Sequence, residues 1–508
     1  MNRPDPGPAT DPDGQATLSV QPVALAVLLF IAGLAVLALA LTAGRYGYHR
    51  DELYFIAAGA HPAWGYPDQP MLTPLLAHAM NALAPDSLLL LRSPAILASG
   101  LTTLATGLLA RELGGGRRAQ ALAAACWAAG AVCLVTGHFL TTTTYDVCAT
   151  AIVSLLIVRL LRTGNTRLWL PAGAVLGLAL LSKSLIAIVI GMVVLGLAVL
   201  GPRDILRSKW FAAGLALAIL GALPYGLWQI AHGLPQQQLA DSIANSGDQG
   251  GRAGFIPFQL LLIGPLLAPV WIWGLVTLLR DPQMRSLRCF AVAYLGLIPL
   301  FIVVGGKAYY VAGLYPVLLA AGSVRIEGWT LQRPLRVASV GAAVAVTAAI
   351  SAVIGLSLLP ADRLQGSVVM AFNPDTGEMV GWQRFVDSVA TAYRSLPPAQ
   401  RQRAAIFTEN YGEAGAISKF GPARGLPAPY SGHNGWALWG PPPDADMTAV
   451  VVGLDPFETQ RYFRGCRVRA RIDNGVGLNN DEQGRSVWTC TSERQPWSAL
   501  WKSLRHYD

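Results

Sequence analysis

The sequence predicts an α-helical polytopic membrane protein with a small α/β domain at its C-terminal end. Three observations carry this: charge is scarce, apolar runs of membrane-spanning length recur along most of the chain, and arginines collect at the ends of those runs. Of 508 residues, 53% are hydrophobic and only 13% charged, about half the roughly 25% charged content of a soluble domain. The mean hydropathy of +0.43 agrees. A net charge of +9 by itself suggests nucleic acid. The arginines, however, form no basic domain with interleaved aromatics. No nucleic-acid partner is expected; a lipid bilayer is.

A membrane-crossing helix needs about 20 mostly apolar residues. The first run is 23–43, after a polar, Pro-rich stretch (1–22) expected to be a disordered cytoplasmic N-terminus. The run is too long for a secretory signal and lacks a basic flank and a small-residue cleavage site, so it reads as a retained helix. Further spans are expected at 88–110, 119–136, 143–161, 168–181 (short), 185–200, 211–231, 256–279, 289–304, 311–322 (short) and 337–359, about eleven crossings in all.

Alternate connections hold basic clusters: Arg111/Arg117/Arg118, Arg159/Arg162/Arg167, Arg203/Arg207/Lys209, Arg280/Arg285/Arg288 and Arg325/Arg333/Arg336. The positive-inside rule makes that side cytoplasmic. The first loop (44–87), the turns at 137–142 and 305–310, the segment 233–255 and the tail then lie outside, with the plasma (inner) membrane as the expected location. The spans, 23–359, form one domain. The tail, 360–508, alternates an amphipathic stretch (380–396) with strand-like runs at 404–407, 449–452, 466–472 and 486–489, the pattern of a soluble α/β domain. Cys126, Cys133, Cys148 and Cys289 lie in spans as small packing residues. Cys466 and Cys490 lie in the tail, where an oxidising compartment permits a disulfide.

The first loop carries the most informative residues. Asp51 and Glu52 open what reads as a short amphipathic helix on the membrane surface. A carboxylate in a helix's first turn is favoured by the macrodipole and is placed to take a proton from an incoming hydroxyl; the bland reading is a helix cap. Asp68 recurs in the same loop, held between Pro67 and Pro70 in a rigid turn. Asp146 sits just inside the fourth span, and an acid there is a functional candidate by default, though a snorkelling helix-end residue also fits. Lys183 and Lys307 each occupy a tight outer turn, where a cation asks for an anionic partner. That partner is either a neighbouring acid or a lipid-linked phosphate held by point-charge contacts. Arg50 and Arg252 are weaker candidates of the same kind, and Arg92 reads as a helix-end anchor. The aromatics Tyr411, Tyr430, Trp436 and Trp439 suit either sugar stacking or the core of a small domain.

Taken in order against the spans, these motifs resemble a known family. They are an Asp-Glu pair after the first span, an acid before proline in the same loop, an acid opening the fourth span, a Leu-x-Lys-x turn after the fifth, and Lys307, Tyr310, Tyr315 and Pro316 before the tenth. The chain from 23 to 359 resembles the family-39 glycosyltransferases of the GT-C fold, which include protein O-mannosyltransferases and lipid A aminoarabinose transferases. The tail segments Phe407-Thr-Glu-Asn-Tyr-Gly-Glu-Ala-Gly-Ala and Ser431-Gly-His-Asn-Gly-Trp-Ala-Leu-Trp-Gly look like those of a bacterial subgroup. The resemblance implies inverting transfer of one sugar from a polyprenyl-phosphate donor to an extracytoplasmic acceptor (glycan, lipid or protein hydroxyl). It places the base on Asp51 with Glu52 as neighbouring acid. The reading of the outer-face charges adds phosphate contacts on Lys183, Lys307 and Arg50, with supporting roles for Asp68, Gln69, Asp146, Tyr309 and Tyr310. Many relatives carry Lys-Pro-Pro after the second acid, whereas this chain has Asp68-Gln69-Pro70-Met71, so the expected phosphate-touching lysine is replaced by Gln69.

No cofactor is expected. His49, His138 and His232 fall near the outer face, which permits a divalent metal with Asp68 or Asp146, but nothing in their spacing gathers them. Two rival functions remain: a transporter or flippase of lipid-linked sugars, and a sensor with a ligand-binding tail. Transporters place ionisable residues near the midplane, often on broken helices; here the acids gather at one surface. Eleven spans exceed what a sensor's anchor needs.

Overall fold

A computed structural model of the chain describes residues 20–246, 251–444 and 448–508; most of the expected N-terminal tail (1–19) lies outside them. Every apolar run expected to cross the membrane is helical. Among the described residues, seven helices are long and apolar enough to span a bilayer, and nine if each of two bent pairs counts as one span. Two others, Thr166–Leu180 and Leu185–Leu200, are apolar but shorter. The count of eleven therefore goes further than length and composition carry. The run expected as short at 311–322 is the middle of a 23-residue span, Ala308–Thr330, whose core window is 78% buried. Its first turns are 3₁₀ (Ala308–Leu314), so the apolar pattern alone understated it.

The peripheral helices show which solvent they face. Leu25–Thr42 exposes Leu29, Phe30, Leu34, Leu37 and Leu41, and Pro334–Gly355 is only 11% buried over its most apolar window. Apolar side chains exposed all along a helix fit lipid, not water. The chain is a multi-pass membrane protein. Inside the bundle, Gly173 and Gly177 of Trp169–Leu180 meet Gly214 and Gly221 of Lys209–Ala231 with main chain against main chain, the small-residue packing that membrane helices use in the absence of a hydrophobic drive between them. The sharper bent pair, Gly251–Ile263 and Pro265–Arg280, turns 81° at Gly264, whose φ of +105° only glycine adopts without strain.

The basic connections share one end of the bundle. Glu112 accepts from both Arg111 and Arg162, and Glu327 accepts from the backbone N–H groups of Gly116, Arg118 and Ala119. The first loop, the Leu181–Ser184 turn and the tail share the opposite end, where Leu72 N–H donates to the Leu181 carbonyl at 2.8 Å.

Among its described residues the tail has seven strands: β1 (Ala405–Thr408), β2 (Pro429–Ser431), β3 (Ala449–Val452), β4 (Phe463–Arg464), β5 (Arg467–Arg471), β6 (Ser486–Cys490) and β7 (Ser492–Glu493). Five form one sheet in the order β2-β1-β3-β6-β5, while β4 pairs with β7. β1 is parallel to both β2 and β3, and Phe407 aligns with Tyr430 and Val451. Both faces of β1 and β3 are buried, as the central strands of a covered parallel sheet must be. Phe407 and Val451 face Trp497, Leu500 and Trp501. Ile406, Val450 and Val452 face Phe385, Val386 and Val389 together with Leu53–Ala58 of the first loop. One core is thus the tail's own, and the other is shared with the first loop. Cys466 and Cys490 are joined in a disulfide; the four span cysteines are free and buried.

Candidate active site

The helix Arg50–Gly59 begins at His49, whose Nδ1 accepts from the Asp51 N–H at 3.1 Å. Glu52 closes the capping box by accepting from the His49 N–H at 2.9 Å. The helix does not lie on the membrane surface as its sequence suggested. Residues Glu52 to Gly59 are all buried, because the tail covers the face that a surface helix would expose.

Glu52 is fully buried and ion-paired with Arg92, equally buried. Arg92 donates to Glu52 Oε1 and Oε2, each at 2.8 Å, and to the carbonyls of Ala43 and Gly47. The Leu140 N–H supplies a further bond to Glu52 at 2.9 Å. Arg92 is therefore not a helix-end anchor but the partner that fixes the first loop. Every acceptor position of Glu52 is occupied by these bonds and its capping contact, so it orients the loop and has no lone pair left for an incoming hydroxyl.

Asp51 points elsewhere. Its side chain is 30% exposed and lies 3.8 Å from His49 Nδ1, and its Oδ1 accepts from the Tyr411 hydroxyl at 2.8 Å. Burial, reinforced by the Asp51 charge, pushes the Tyr411 phenol well up, so it stays a firm donor. Tyr411 opens the tail helix Tyr411–Phe420, capped by Asn410 and Glu413. That helix reaches the first loop only because of two glycines. A Cβ on Gly412 would meet Arg50 Cβ at 2.7 Å, and one on Gly415 would meet Leu53 Cβ at 2.9 Å. Tyr54 makes the second bridge, donating to Asp68 Oδ1 at 2.9 Å and accepting from the Gly435 N–H at 3.0 Å.

Asp68 sits at a tight reversal in which the Tyr66 N–H donates to the Gln69 carbonyl at 2.8 Å. Burial pushes its carboxyl up to about 7, against the Tyr54 hydrogen bond; the Asp51 charge adds to the rise. Gln69 is 4% exposed, and its Nε2 has no hydrogen-bond partner among the described residues. Arg50 pairs with Asp481 at 3.4 Å and Glu378 at 3.6 Å and lies over the Tyr411 ring.

Lys183 Nζ donates to Thr143 Oγ1 at 3.0 Å and lies 5.4 and 5.5 Å from the ring centres of Tyr309 and Tyr310. Burial pushes its ammonium down, and the charges of Asp146 and Asp51 oppose that. Lys307 is close enough to lower Lys183 further. Asp146 is buried, and its Oδ1 has no partner among the described residues. The structure thus brings Asp51, Asp68, Lys183, Lys307, Asp146, Tyr309 and Tyr310 to one end of the bundle. It leaves Arg252 bonded to the Val303 carbonyl at 3.4 Å.

The three histidines considered as ligands are each engaged elsewhere. His138 contacts Thr42 and Ser357, His232 stacks on Trp228, and His49 caps its helix. They form no ligand group with Asp68 or Asp146 among the described residues. Trp436 is core, while Trp439 stacks on His61 of the first loop with ring centres 4.1 Å apart. Sequence reading missed the roles of Tyr54, Arg92, Thr143 and Gly435. The tail motif around Tyr411 was the one available signal, and it gave no hint of which surface it would meet.

Residues 68–228 match the family described as dolichyl-phosphate-mannose-protein mannosyltransferase. The fold is similar to that of ArnT from Cupriavidus metallidurans in the apo state: TM-score 0.61 and 14% identity, covering 94% of this chain and 99% of that one. The same protein bound to undecaprenyl phosphate gives a TM-score of 0.62 at 13% identity, covering 91% and 97%. The arabinofuranosyltransferase AftD from Mycobacteria gives 0.52 at 14% identity, covering 92% of this chain and 40% of that one. No curated protein sequence matches the chain. The architecture is the GT-C fold, resembling protein mannosyltransferases and ArnT, with a small sheet domain after the spans.

Proposed function

We propose that this chain is an inverting glycosyltransferase that moves one sugar from a polyprenyl-phosphate donor to an acceptor hydroxyl outside the cytoplasm. One observation carries the reading. Asp51 is a partly exposed carboxylate at a helix N-terminus, oriented by the Tyr411 hydroxyl, beside a group of cations at the same end of the bundle. Asp51 takes the acceptor's proton as that oxygen attacks the anomeric carbon. The bond from that carbon to phosphate breaks on the opposite face, and the lipid phosphate departs as an anion without needing a proton. Lys183 and Lys307 hold the phosphate. Gln69, with its unpaired buried amide, donates where many relatives use lysine. Tyr309 and Tyr310 form the aromatic wall under Lys183. The basic loops then face the cytoplasm of an inner membrane, with the site and tail outside.

Purified protein should release lipid phosphate from a polyprenyl-phosphate sugar in the presence of acceptor. Positioned base catalysis contributes typically about 10²–10⁴-fold, so Asp51→Asn should lower transfer by that order while donor binding persists. Near-wild-type turnover in Asp51→Asn would remove the base assignment. Movement of intact lipid-linked sugar with no phosphate release would favour the transporter reading.

A further inference from the structure

The tail motif Ser431-Gly-His-Asn-Gly contains a histidine that the proposed chemistry does not use. We infer that His433, His506 and Asp508 form a binding site for one divalent transition-metal ion of the zinc class. Their ligand atoms all lie within 4.8 Å of one another. In a tetrahedral site with metal–nitrogen bonds of about 2.0–2.1 Å, donors stand about 3.3 Å apart, so small side-chain rotations close the shell. Two imidazoles and one carboxylate are a donor set that borderline divalent ions favour, and three protein ligands leave a fourth position for water.

The backbone prepares the site. His433 and His506 face each other across a parallel bridge, with the Asn434 N–H donating to the His506 carbonyl and the His506 N–H to the Gly432 carbonyl. Gly432 lies against the Leu504 carbonyl with no room for a side chain. His506 Nδ1 is 3.0 Å from the Leu504 carbonyl. A carbonyl only accepts, so Nδ1 carries the proton and Nε2 keeps its lone pair, the arrangement by which metal-binding histidines are oriented. His433 Nε2 is in direct contact with the Asp508 carboxylate, while its buried Nδ1 has no partner among the described residues. Burial falls from His433 through His506 to exposed Asp508, which gives an ion a path in from solvent. The His433 ring is 4.6 Å from that of Tyr411, the residue that bonds Asp51. Occupancy therefore reaches the candidate base through one aromatic side chain.

The test needs no activity assay, so its failure is separate from that of the proposed reaction. Full-length, tag-free protein is equilibrated with Zn²⁺ alone, desalted and measured by mass spectrometry for metal. One equivalent per chain is expected, and Co²⁺ in its place should give the intense visible bands of a tetrahedral site. His506→Gln and Asp508→Asn should each weaken Zn²⁺ binding more than about 100-fold, beyond the 10–100-fold cost of losing a group that only orients a ligand. Asp508 is exposed, so Asp508→Asn keeps the fold; His232→Gln should retain the metal. Substoichiometric binding by the wild type, or full binding by both ligand variants, overturns the assignment.

Discussion

Replacing Glu52 by glutamine tests whether the acid pair of the first loop divides its work as the geometry indicates. Glu52 accepts from Arg92, His49 and Leu140 with no solvent contact. Glu52→Gln leaves the Arg92 guanidinium buried without a counter-charge and puts an amide N–H₂ against donors. Removing one partner of a buried ion pair costs about 3–5 kcal/mol. At about 1.36 kcal/mol per factor of ten, opening of the loop becomes roughly 10²- to 10⁴-fold more frequent. Hydrogen exchange reads such local opening directly. Amides of Leu53 to Gly59 should lose protection by that factor in Glu52→Gln and by less than tenfold in Asp51→Asn. Any loss of transfer in Glu52→Gln should then track the loss of protection. Retained protection in Glu52→Gln, or an equal loss in Asp51→Asn, would refute the division of roles.

Gly415→Ala places a methyl 2.9 Å from Leu53 Cβ; overpacking of this kind costs about 1–3 kcal/mol, and the tail should become more sensitive to limited proteolysis while the spans do not. Lys183→Ala and Lys307→Ala should each lower kcat/KM for the lipid donor by about 10- to 100-fold, since a hydrogen bond to a charged group contributes roughly 1.5–3 kcal/mol; unchanged kinetics in both would remove the phosphate site. Asp68 binds its proton more tightly folded, near pH 7, than unfolded, near 3.8. Its contribution is therefore full below about pH 4 and is lost as pH rises through 7. Glu378 and Glu482, both raised mainly by burial, slope the same way. Thermal melts from pH 4 to 7 should show a shallower decline in Asp68→Asn than in the wild type.

The helices were legible because their signal is one of composition: a run such as Leu185–Leu200 has few other solutions in a chain with so little charge. The strands β1, β3, β5 and β6 were legible within a residue or two at either end, as short strand-like runs in the polar tail. β2, with only Pro429-Tyr430-Ser431, was not, since its place is set by pairing with β1 and not by any pattern of its own. Asp51 stood out as a carboxylate opening a short helix in the first loop, and Lys183 and Lys307 as cations in tight outer turns. Arg92 did not, because an arginine at a helix end is an ordinary anchor unless the acid opposite it is known. Tyr411 was visible as an aromatic but not as a donor to Asp51, because no local periodicity relates residues 360 positions apart.

That same separation has a consequence for how the protein is made. Synthesis delivers roughly 5–20 residues each second, so Tyr411 emerges about 20–70 s after Asp51, given the 360 residues between them. During that interval the first loop first lacks even Arg92 and Leu140, which hold Glu52, and then still lacks both the Tyr411 hydroxyl and the Gly435 N–H that engages Tyr54. Ribosomes stalled anywhere in the spans therefore leave inserted chains whose carboxylate lacks its phenol partner. The tail, made after the spans, decides when the candidate site is complete.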